Sequence, residues 1–311
     1  MIGDKSVGIE LNAELNIVTG AFSYSGKYIT RRLLDRGVKV KALTAHPAHP
    51  NPFGNAVEAM PFNFDRPAAL ADSLRGATTV FNTYWIRFER GAMTFDRAVQ
   101  NITIEAARQA GVRRFVHLSH VNVSAASPLP YFRGKGVIED TLRASGLAYA
   151  IVRPSVIFGP EDILINNIAW SLRKFPVFAI PGDGEYRLQP TFVEDLADLV
   201  VKAACEVGNI NSDVVGPEIF TFNELVRLLA RSLDRTPRIV HVPSRIALLC
   251  TSIIGRIMGD VMLTADEIRG LSADLLVSRE LSIAPTRLSD CLARNAATVG
   301  AHYASEIAKR A

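Results

Sequence analysis

The fold is decided by residues 15–26, which read Leu15-Asn16-Ile17-Val18-Thr19-Gly20-Ala21-Phe22-Ser23-Tyr24-Ser25-Gly26. The first five residues form a short apolar run, which predicts a buried strand. The turn that follows keeps the first and third glycines of a G-x-x-G-x-x-G loop, Gly20 and Gly26, with Ser23 in the middle position. Gly20 permits a tight turn, and Gly26 lets the next helix approach the strand and present its free N–H groups to a pyrophosphate. An ordinary β–α turn without a nucleotide is the alternative interpretation.

Beyond this stretch, predicted strands alternate with predicted helices. We expect further strands over 38–43, 57–62, 79–82, 114–119 and 148–153, and helices over 28–36, 95–110 and 135–145. Gly37, Gly111 and Gly146 follow these helices, at the position that glycine prefers. The alternation predicts an α/β fold, a Rossmann doubly wound parallel sheet, built from residues 1–163 with 188–216 returning to the sheet.

The second half predicts a smaller, mainly helical substrate or lid domain, made of residues 164–187 and 217–311. Residues 175–190 are rich in Pro and Gly and predict a loop, and residues 191–204 predict a helix. Thr221 and Glu224 form a capping-box pattern that opens a helix over 225–233, and the tail from Arg245 is mostly helical in pattern. We place this domain over the C-terminal edge of the sheet.

Composition narrows the class of protein. The chain has 311 residues and a net charge of +4, and its Lys and Arg residues form no run, which argues against nucleic-acid binding. Cys205, Cys250 and Cys291 lack metal-site spacing, so we expect no metal, reduced thiols and a cytoplasmic location. Residues 1–14 do not resemble a secretory signal. The apolar run 246–254 is too short to span a bilayer and favours a buried helix, with membrane-surface contact as the alternative.

The end of the second predicted strand bears on the choice of cofactor. It reads Leu43-Thr44-Ala45-His46, without the Asp or Glu that would bind a ribose 2′-hydroxyl and favour NAD. Lys27, Lys41 and His46 are cations nearby that suit a 2′-phosphate. We therefore predict NADP, with NAD as the alternative.

A tyrosine and a lysine four residues apart are the candidate catalytic pair. Tyr131-Phe132-Arg133-Gly134-Lys135 is a Y-x-x-x-K motif between the fifth and sixth predicted strands. On a helix this spacing places both side chains on one face. The Lys135 ammonium would favour the tyrosinate form of Tyr131, which makes its phenol a usable acid or base. The chain has no G-x-S-x-G motif, so we exclude a serine hydrolase.

These motifs resemble the short-chain dehydrogenase/reductase superfamily, in its extended or atypical branch. About residues 15–235 resemble it, and the chain is similar to NAD-dependent epimerase/dehydratase-like proteins and to relatives of the 39 kDa subunit of respiratory complex I, which holds a nucleotide without known turnover. Further matching segments are Asn101-Ile102-Thr103-Ile104-Glu105-Ala106-Ala107, Arg153-Pro154-Ser155-Val156-Ile157-Phe158-Gly159, Asn166-Asn167-Ile168-Ala169-Trp170, Gly182-Asp183-Gly184 and Pro190-Thr191-Phe192-Val193-Glu194-Asp195.

The resemblance implies roles for individual residues. Tyr131 would be the acid/base and Lys135 would hold the nicotinamide ribose. Ser119, His120 or Ser124 would supply a donor to the substrate oxygen, with a site that lacks such a donor as the alternative. His120 would itself polarise a carbonyl, with an exposed loop histidine as the alternative. Asp65 would meet the adenine, although it also suits a helix N-cap before Pro67. The implied cofactor-binding residues are Gly20, Phe22, Ser23, Tyr24, Ser25, Gly26, Thr44, His46, Asp65, Asn82, Lys135, Pro154 and Ser155.

Two hypotheses for function follow. The first is an NAD(P)-dependent oxidoreductase or epimerase-like enzyme acting on a hydroxyl or carbonyl of a small molecule, such as a nucleotide sugar or a sterol-like ketone. We expect its substrate near Tyr84, Trp85 and Asn166, although both aromatic residues also suit a core. The second is a non-catalytic NAD(P)-binding module that senses redox state or supports an assembly. The sequence gives no oligomeric state.

Overall fold

All six strands predicted from the sequence are present in the structure. The computed structural model describes residues 14–47, 50–261 and 264–305. Its strands are β1 (Leu15–Thr19), β2 (Lys39–Thr44), β3 (Val57–Pro61), β4 (Ala77–Asn82), β5 (Arg114–Leu118), β6 (Ala148–Pro154), β7 (Ile157–Phe158), β8 (Val177–Pro181), β9 (Arg187–Leu188), β10 (Thr191–Phe192), β11 (Ile210–Val214), β12 (Phe220–Thr221) and β13 (Arg238–Val242).

One large sheet dominates the first half of the chain. It has seven strands in the order β11-β6-β5-β4-β1-β2-β3. The pairs β1–β2, β2–β3, β1–β4, β4–β5 and β5–β6 are all parallel. From β1 the chain moves outward through β2 and β3 on one side and through β4, β5 and β6 on the other. This is the Rossmann strand order, so the predicted doubly wound α/β fold is confirmed.

The helices alternate with these strands. They are α1 (Tyr24–Asp35), α2 (Pro67–Ser73), α3 (Phe95–Gln100), α4 (Ile104–Gln109), α5 (Pro130–Ala144), α6 (Leu164–Lys174), α7 (Val193–Cys205), α8 (Phe222–Ser232), α9 (Ser244–Met258), α10 (Ala265–Ser272) and α11 (Leu288–Asn295). The predicted capping box opens α8, since Thr221 Oγ1 accepts from Glu224 N–H at 3.1 Å and the Glu224 carboxylate accepts from Thr221 N–H at 2.8 Å.

Three predicted elements have different bounds in the structure. The helix predicted over 28–36 begins at Tyr24, because the extended residue Ser23 leads directly into α1. The helix predicted over 95–110 is two helices, α3 and α4, separated by residues of which Asn101 and Thr103 are weak helix formers. The loop predicted over 175–190 contains β8 and β9, whose partners β13 and β12 lie far along the chain. Local sequence patterns therefore could not predict that these segments pair as strands.

The described residues form two compact units, each with its own apolar core. Unit 1 contains the residues up to Ser127, Phe132–Arg153 and Leu196–Ser212, and unit 2 contains Pro128–Tyr131, Pro154–Asp195 and the residues from Asp213 onward. The core of unit 1 includes Ile17, Val80, Phe115 and Ile151, and that of unit 2 includes Ile165, Ile180, Leu225 and Leu229. The domain limits predicted from the sequence stay a prediction.

The apolar run near residue 250 lies in α9. Ala247 is buried, whereas Ile246 and Leu249 are exposed, so the helix buries one face instead of being buried on all sides. The side chains of Cys250, Ile253 and Ile254 lie outside the described part of the structure. No helix within the described residues has both the length and the apolar composition that crossing a bilayer would require.

Candidate active site

The predicted phosphate loop is a tight turn between β1 and α1. Gly20 has φ +66°, in the left-handed region that favours glycine. Its carbonyl oxygen accepts two hydrogen bonds from Ser23, one from the backbone N–H at 2.8 Å and one from the hydroxyl at 2.6 Å. The Ser23 side chain therefore closes the turn on itself. The residue that replaces the middle glycine of the motif stabilises the loop from within.

Gly26 is required by the close approach of α1 to this turn. A Cβ atom at this position would lie 2.1 Å from the Gly20 carbonyl oxygen, far inside the van der Waals distance. The first turn of α1 carries no acidic residue, and the first N–H groups of a helix have no partner within the helix. Tyr24, Ser25 and Gly26 thus offer backbone donors and the positive end of the helix dipole to an anion.

The loop between β2 and β3 flanks the phosphate loop. The Phe22 ring lies 6.4 Å from that of Phe53, between ring centroids. At the end of β2, Thr44 Oγ1 accepts from the His46 N–H at 3.1 Å, and Ala45 and His46 are exposed. Lys41 forms an ion pair with Glu58 at 2.9 Å, so the charge of this predicted phosphate partner is largely offset.

Asp65 precedes α2 but is not the N-cap residue of this helix. The N-cap of α2 is Arg66, with Pro67 as the first helical residue, so the alternative role of Asp65 as an N-cap is wrong. Asn63 has φ +48°, and its backbone carbonyl accepts a hydrogen bond from the Arg66 N–H. The turn before α2 therefore ends at Arg66, one residue after Asp65. Asp65 is exposed and pairs with Arg97 at 3.2 Å. Its contact with adenine stays a prediction.

Tyr131 and Lys135 lie one turn apart on α5, as the motif predicts. Lys135 is only 4 % exposed, and its ammonium donates to the Leu118 carbonyl at 3.0 Å and to the Ser119 carbonyl at 3.4 Å. The nitrogen also lies 5.3 Å from the centroid of the Trp85 ring. Burial lowers the pKa of Lys135 to about 7, although the charge of Glu139 opposes the shift. Lys135 can therefore change its charge near neutral pH.

The end of β5 places Ser119 and His120 beside this lysine. Both are buried, contrary to the exposed-loop alternative for His120. The His120 Nδ1–H donates to the Val121 carbonyl at 2.8 Å, and burial lowers the pKa of His120 to about 4. A neutral imidazole that donates through Nδ1 carries a lone pair on Nε2, so His120 suits accepting a hydrogen bond from a hydroxyl better than donating one to a carbonyl. Ser124, the third candidate donor, is exposed.

A buried carboxylate completes the surroundings of Lys135, and the sequence analysis did not identify it. Glu139 lies one turn after Lys135 and accepts two hydrogen bonds from Arg153, at 2.8 and 2.7 Å, and one from Arg143 at 2.6 Å. Burial opposes ionisation of Glu139, yet the hydrogen bonds from Arg153 and Arg143 hold its pKa below the usual value. The spacing Lys135, Glu139, Arg143, four residues apart each time, is the sequence signal for this arrangement.

Asn82 takes part in a polar chain inside the sheet. Its side-chain oxygen accepts from Thr19 Oγ1 at 3.2 Å, and its amide nitrogen lies 2.9 Å from Nδ1 of His117 on β5. All three residues are buried. The amide that was predicted to touch the cofactor is therefore engaged within the protein. His117 is a further residue that the sequence analysis did not single out.

Several other predicted residues have structural partners. In unit 2 the Ser155 hydroxyl donates to the Leu276 carbonyl at 2.6 Å, directly after Pro154 ends β6. The Asn166 amide nitrogen donates to the Asp162 side chain at 2.9 Å, and its oxygen accepts from the Gly300 N–H. Tyr84 packs against Phe62 and Phe64 with tilted rings, each 5.2 Å away between ring centroids, which agrees with its alternative role as a core aromatic.

The comparisons with known proteins agree with this architecture. Residues 20–163 match the protein family described as NAD(P)H-binding. This part of the chain is therefore an NAD(P)-binding domain of the Rossmann type.

Named relatives extend the likeness beyond that domain. The chain is 24% identical over 300 residues to subunit 9 of the NADH dehydrogenase [ubiquinone] 1 alpha subcomplex, mitochondrial, of Arabidopsis thaliana, covering 87% of this chain and 74% of that one. It is 28% identical over 233 residues to a ceramide reductase of Caulobacter vibrioides, covering 73% of each. A nucleoside-diphosphate-sugar epimerase of Staphylococcus aureus has the same fold, with a TM-score of 0.70 and 18% identity over 89% of this chain and 99% of that one.

The contact at Gly26 leads to a prediction about cofactor binding. Gly26→Ala forces a Cβ into the Gly20 carbonyl, so the loop must move away from α1 and NAD(P)H affinity should fall by at least about tenfold. Fluorescence titration with NADPH and NADH measures the affinity, and circular dichroism checks the fold. Asp35→Ala, at the exposed last residue of the same helix, is the control and should bind normally. Wild-type affinity in a folded Gly26→Ala variant would contradict this account of the loop.

The buried histidine at the end of β5 leads to a prediction about acid stability. The pKa of His120 is lowered to about 4, whereas an unfolded histidine titrates near 6.5. As the pH falls from about 6.5 to 4, the unfolded chain takes up a proton that the folded protein excludes, so stability is lost over that window. His120→Gln should flatten the pH dependence of the unfolding free energy by up to roughly 1.4 kcal/mol per pH unit.

Urea unfolding at pH 7, 6, 5 and 4.5 measures this slope. His302→Gln, at an exposed histidine, is the matched control and should retain the wild-type slope. An unchanged slope in His120→Gln would show that His120 is not excluded from protonation in the folded state.

Proposed function

We propose that the chain is an NAD(P)-dependent oxidoreductase of the short-chain dehydrogenase/reductase type, acting on a hydroxyl or carbonyl group of a small molecule. The observation that carries the proposal is the pair formed by Tyr131 and Lys135 on α5, with Lys135 buried and its pKa lowered by burial to about 7. A structural lysine at a protein surface would be exposed and charged. Burial of an amine whose proton is loosely held is typical of sites that move protons.

Each residue of the site has a separate role in the proposed reaction. The Gly20–Gly26 turn and the start of α1 bind the pyrophosphate, and Lys135 holds the nicotinamide ribose. Tyr131 gives its phenolic proton to a ketone oxygen and becomes tyrosinate, or as tyrosinate takes a proton from a hydroxyl, and the positive charge of Lys135 favours the tyrosinate form. His120 offers a hydrogen-bond acceptor at the end of β5. The bound nicotinamide supplies or receives the hydride.

An epimerase-like reaction would use the same residues. In that case hydride would be removed from a substrate carbon and returned to its other face, and the cofactor would leave the cycle unchanged. The likeness to a ceramide reductase favours the net oxidoreductase, because that relative is 28% identical over 73% of this chain. Long-chain ketones therefore join sterol-like ketones and nucleotide sugars as the substrates to be tested.

A non-catalytic NAD(P)-binding module is the second candidate function. It is favoured by the likeness to the NADH dehydrogenase subunit, which extends over 87% of this chain. The engagement of Asn82 and Ser155 in internal hydrogen bonds also agrees with a domain that binds a nucleotide for stability. A cytoplasmic location, and contact of the exposed Ile246 and Leu249 with a membrane surface, stay predictions.

The cofactor preference gives one test. With no acid at Thr44 or Ala45, we expect NADPH to bind better than NADH, with Lys27, Lys41 and His46 as the candidate cations for the 2′-phosphate. Ala45→Asp should reverse the preference, because its carboxylate repels a 2′-phosphate and accepts hydrogen bonds from a 2′-hydroxyl. Parallel titrations with both dinucleotides measure the ratio. Wild-type protein that prefers NADH by about tenfold or more would contradict the electrostatic argument.

The catalytic pair gives the second test. Tyr131→Phe keeps the ring but removes the proton, so turnover should fall by roughly two to four orders of magnitude while dinucleotide affinity stays nearly unchanged. Lys135→Met should weaken both turnover and cofactor binding. Tyr149→Phe, the same substitution at a tyrosine of β6, is the matched control and should leave turnover unchanged.

The outcomes separate the two candidate functions. Turnover is measured with a panel of nucleotide sugars, sterols and long-chain ketones. Tyr131→Phe that works at the wild-type rate would remove Tyr131 from the mechanism. Tight dinucleotide binding without turnover of any member of the panel would favour the non-catalytic module.

A further inference from the structure

Two glycines flank Lys135 inside α5, although the interior of a helix is an unfavourable place for glycine. Gly134 precedes the lysine and Gly136 follows it, and all three residues are buried. Successive residues of a helix point about 100° apart, so the two glycines face opposite sides of the lysine. Neither glycine ends the helix, which continues to Ala144. Each glycine therefore needs a reason in the packing around α5.

Gly136 is required by the backbone of the loop that follows β5. A Cβ atom at this position would lie 2.2 Å from the Ser124 carbonyl carbon and 2.3 Å from the Ala125 nitrogen. The loop is itself fixed, since the Ser124 hydroxyl accepts from the Ala126 N–H at 3.2 Å and the Ser124 carbonyl accepts from the Ser127 N–H at 2.9 Å. Backbone atoms held in this way leave no room for a side chain, so the contact fixes α5 against this loop.

Gly134 is required by a side chain instead, the indole of Trp85. A Cβ atom at Gly134 would lie 2.7 Å from Trp85 Cη2 and 3.2 Å from Trp85 Cζ2, with Val99 Cγ2 next at 3.3 Å. Phe95 of α3 stacks on the indole, with 5.8 Å between the ring centroids and 27° between the ring planes. Trp85 therefore occupies the gap that Gly134 leaves on the surface of α5.

The same indole lies against Lys135. The lysine nitrogen lies over the ring, 5.3 Å from its centroid, where the negative face of an indole attracts a cation. The nitrogen also donates to the Leu118 carbonyl at 3.0 Å and to the Ser119 carbonyl at 3.4 Å. The end of β5 and the indole of Trp85 thus both contact the end of the lysine side chain.

Both partners of the glycines belong to loops at the carboxyl ends of parallel strands. Trp85 comes three residues after Asn82, which ends β4, and Ser124 comes six residues after Leu118, which ends β5. Ligands of doubly wound sheets bind at this edge. Two neighbouring strands therefore fix the place of Lys135 on the side of the sheet where a dinucleotide is expected.

We propose that Trp85 is a positioning residue that acts through Lys135 in dinucleotide binding. Its indole fills the space beside Gly134 and restricts the lysine side chain, so that the nitrogen stays at the end of β5. A lysine has a long flexible stem and loses much conformational freedom when it is held in one conformation. Because the indole is part of the fold, this freedom is lost on folding and not on binding, which favours affinity.

This role rests on the proposed function, in which Lys135 holds the nicotinamide ribose. The packing of Trp85 on Gly134 and Lys135 does not rest on it, because the packing belongs to the protein without cofactor. The packing and the role are therefore tested by separate measurements.

Proton NMR of lysine side chains tests the packing in protein without cofactor. The ring current of the indole should shift the Lys135 Hε signals upfield of those of an exposed lysine such as Lys39. The Lys135 signals are assigned by their loss in Lys135→Met. Trp85→Leu should abolish the upfield shift, and Trp170→Leu, the same substitution at a tryptophan of α6, is the matched control that should retain it. Wild-type Lys135 signals at the position of an exposed lysine would overturn the inference.

A double-mutant cycle tests the role in binding. Trp85→Leu alone should weaken NADPH binding by about fivefold or more, whereas in the Lys135→Met background it should weaken binding by less than about twofold. The reason is that without the lysine there is nothing for the indole to position. Trp85→Phe keeps an aromatic ring and should recover most of the affinity, and Trp170→Leu should bind like wild type. Isothermal titration calorimetry measures each affinity, and circular dichroism checks each fold.

Gly134→Ala gives a second route if Trp85→Leu does not fold. The new Cβ atom displaces the indole without altering it, so the upfield shift of Lys135 should shrink and NADPH should bind more weakly. This loss should also disappear in the Lys135→Met background. A folded Gly134→Ala protein with the wild-type shift and affinity would contradict the inference.

The cycle separates failure of the inference from failure of the proposed function. Equal losses from Trp85→Leu in both backgrounds, with Lys135→Met itself weakened, would remove the role of Trp85 and leave the proposed role of Lys135 standing. Wild-type NADPH affinity in Lys135→Met would instead overturn the proposed role of Lys135, and the inference with it. A loss from Trp85→Leu that appears only where Lys135 is present supports both.

Discussion

The close approach of α1 to the end of β1 is the constraint on which the rest of the structure depends. The space where a Gly26 side chain would stand is filled by the Gly20 carbonyl oxygen, 2.1 Å from the ideal Cβ position. The same carbonyl accepts from Ser23, and the Thr83 hydroxyl donates to the carbonyl of the preceding residue, Thr19, at 2.5 Å. These contacts hold the start of α1 against the end of β1 and join β1 to the residue that follows β4.

A second constraint is the handling of buried charge. Lys135, Glu139 and Arg153 lie in the interior of unit 1, where an unpaired charge is costly. Glu139 and Arg153 solve the problem by pairing through two hydrogen bonds. For Lys135 the cost is reduced in another way: burial lowers its pKa to about 7, so that it can lose its proton. Lys135 can therefore exchange a proton, which suits proton transfer. Arg153 stays charged and paired with Glu139, which suits a supporting role.

The two candidate functions differ in what they require of these groups. A module that only binds a dinucleotide needs the Gly20–Gly26 turn and the dipole of α1, and has no use for an amine near its titration point. An enzyme needs this nucleotide-binding turn and also an amine that can exchange a proton. The buried, weakly basic Lys135 one turn from Tyr131 is therefore the feature that favours chemistry, while the likeness to subunit 9 of an NADH dehydrogenase [ubiquinone] 1 alpha subcomplex favours a binding role.

The sequence by itself determined the class of fold and the cofactor. Strand-and-helix alternation and the positions of Gly20 and Gly26 are local signals, and they were sufficient to predict the parallel sheet and the NAD(P)-binding domain. The Y-x-x-x-K spacing likewise placed Tyr131 and Lys135 on one helix, because helical periodicity is a property of the chain alone.

Only the tertiary structure decided the electrostatics of the site. The sequence gives no burial for Lys135, no pairing of Glu139 with Arg153, fourteen residues away, and no contact between Thr19, Asn82 and His117 on three strands. The strands β8 and β9 were missed for the same reason, since their partners are distant in the chain. Hydrogen bonding and desolvation depend on which residues the fold brings together. For that reason the proton states of His120 and Lys135 are properties of the folded protein.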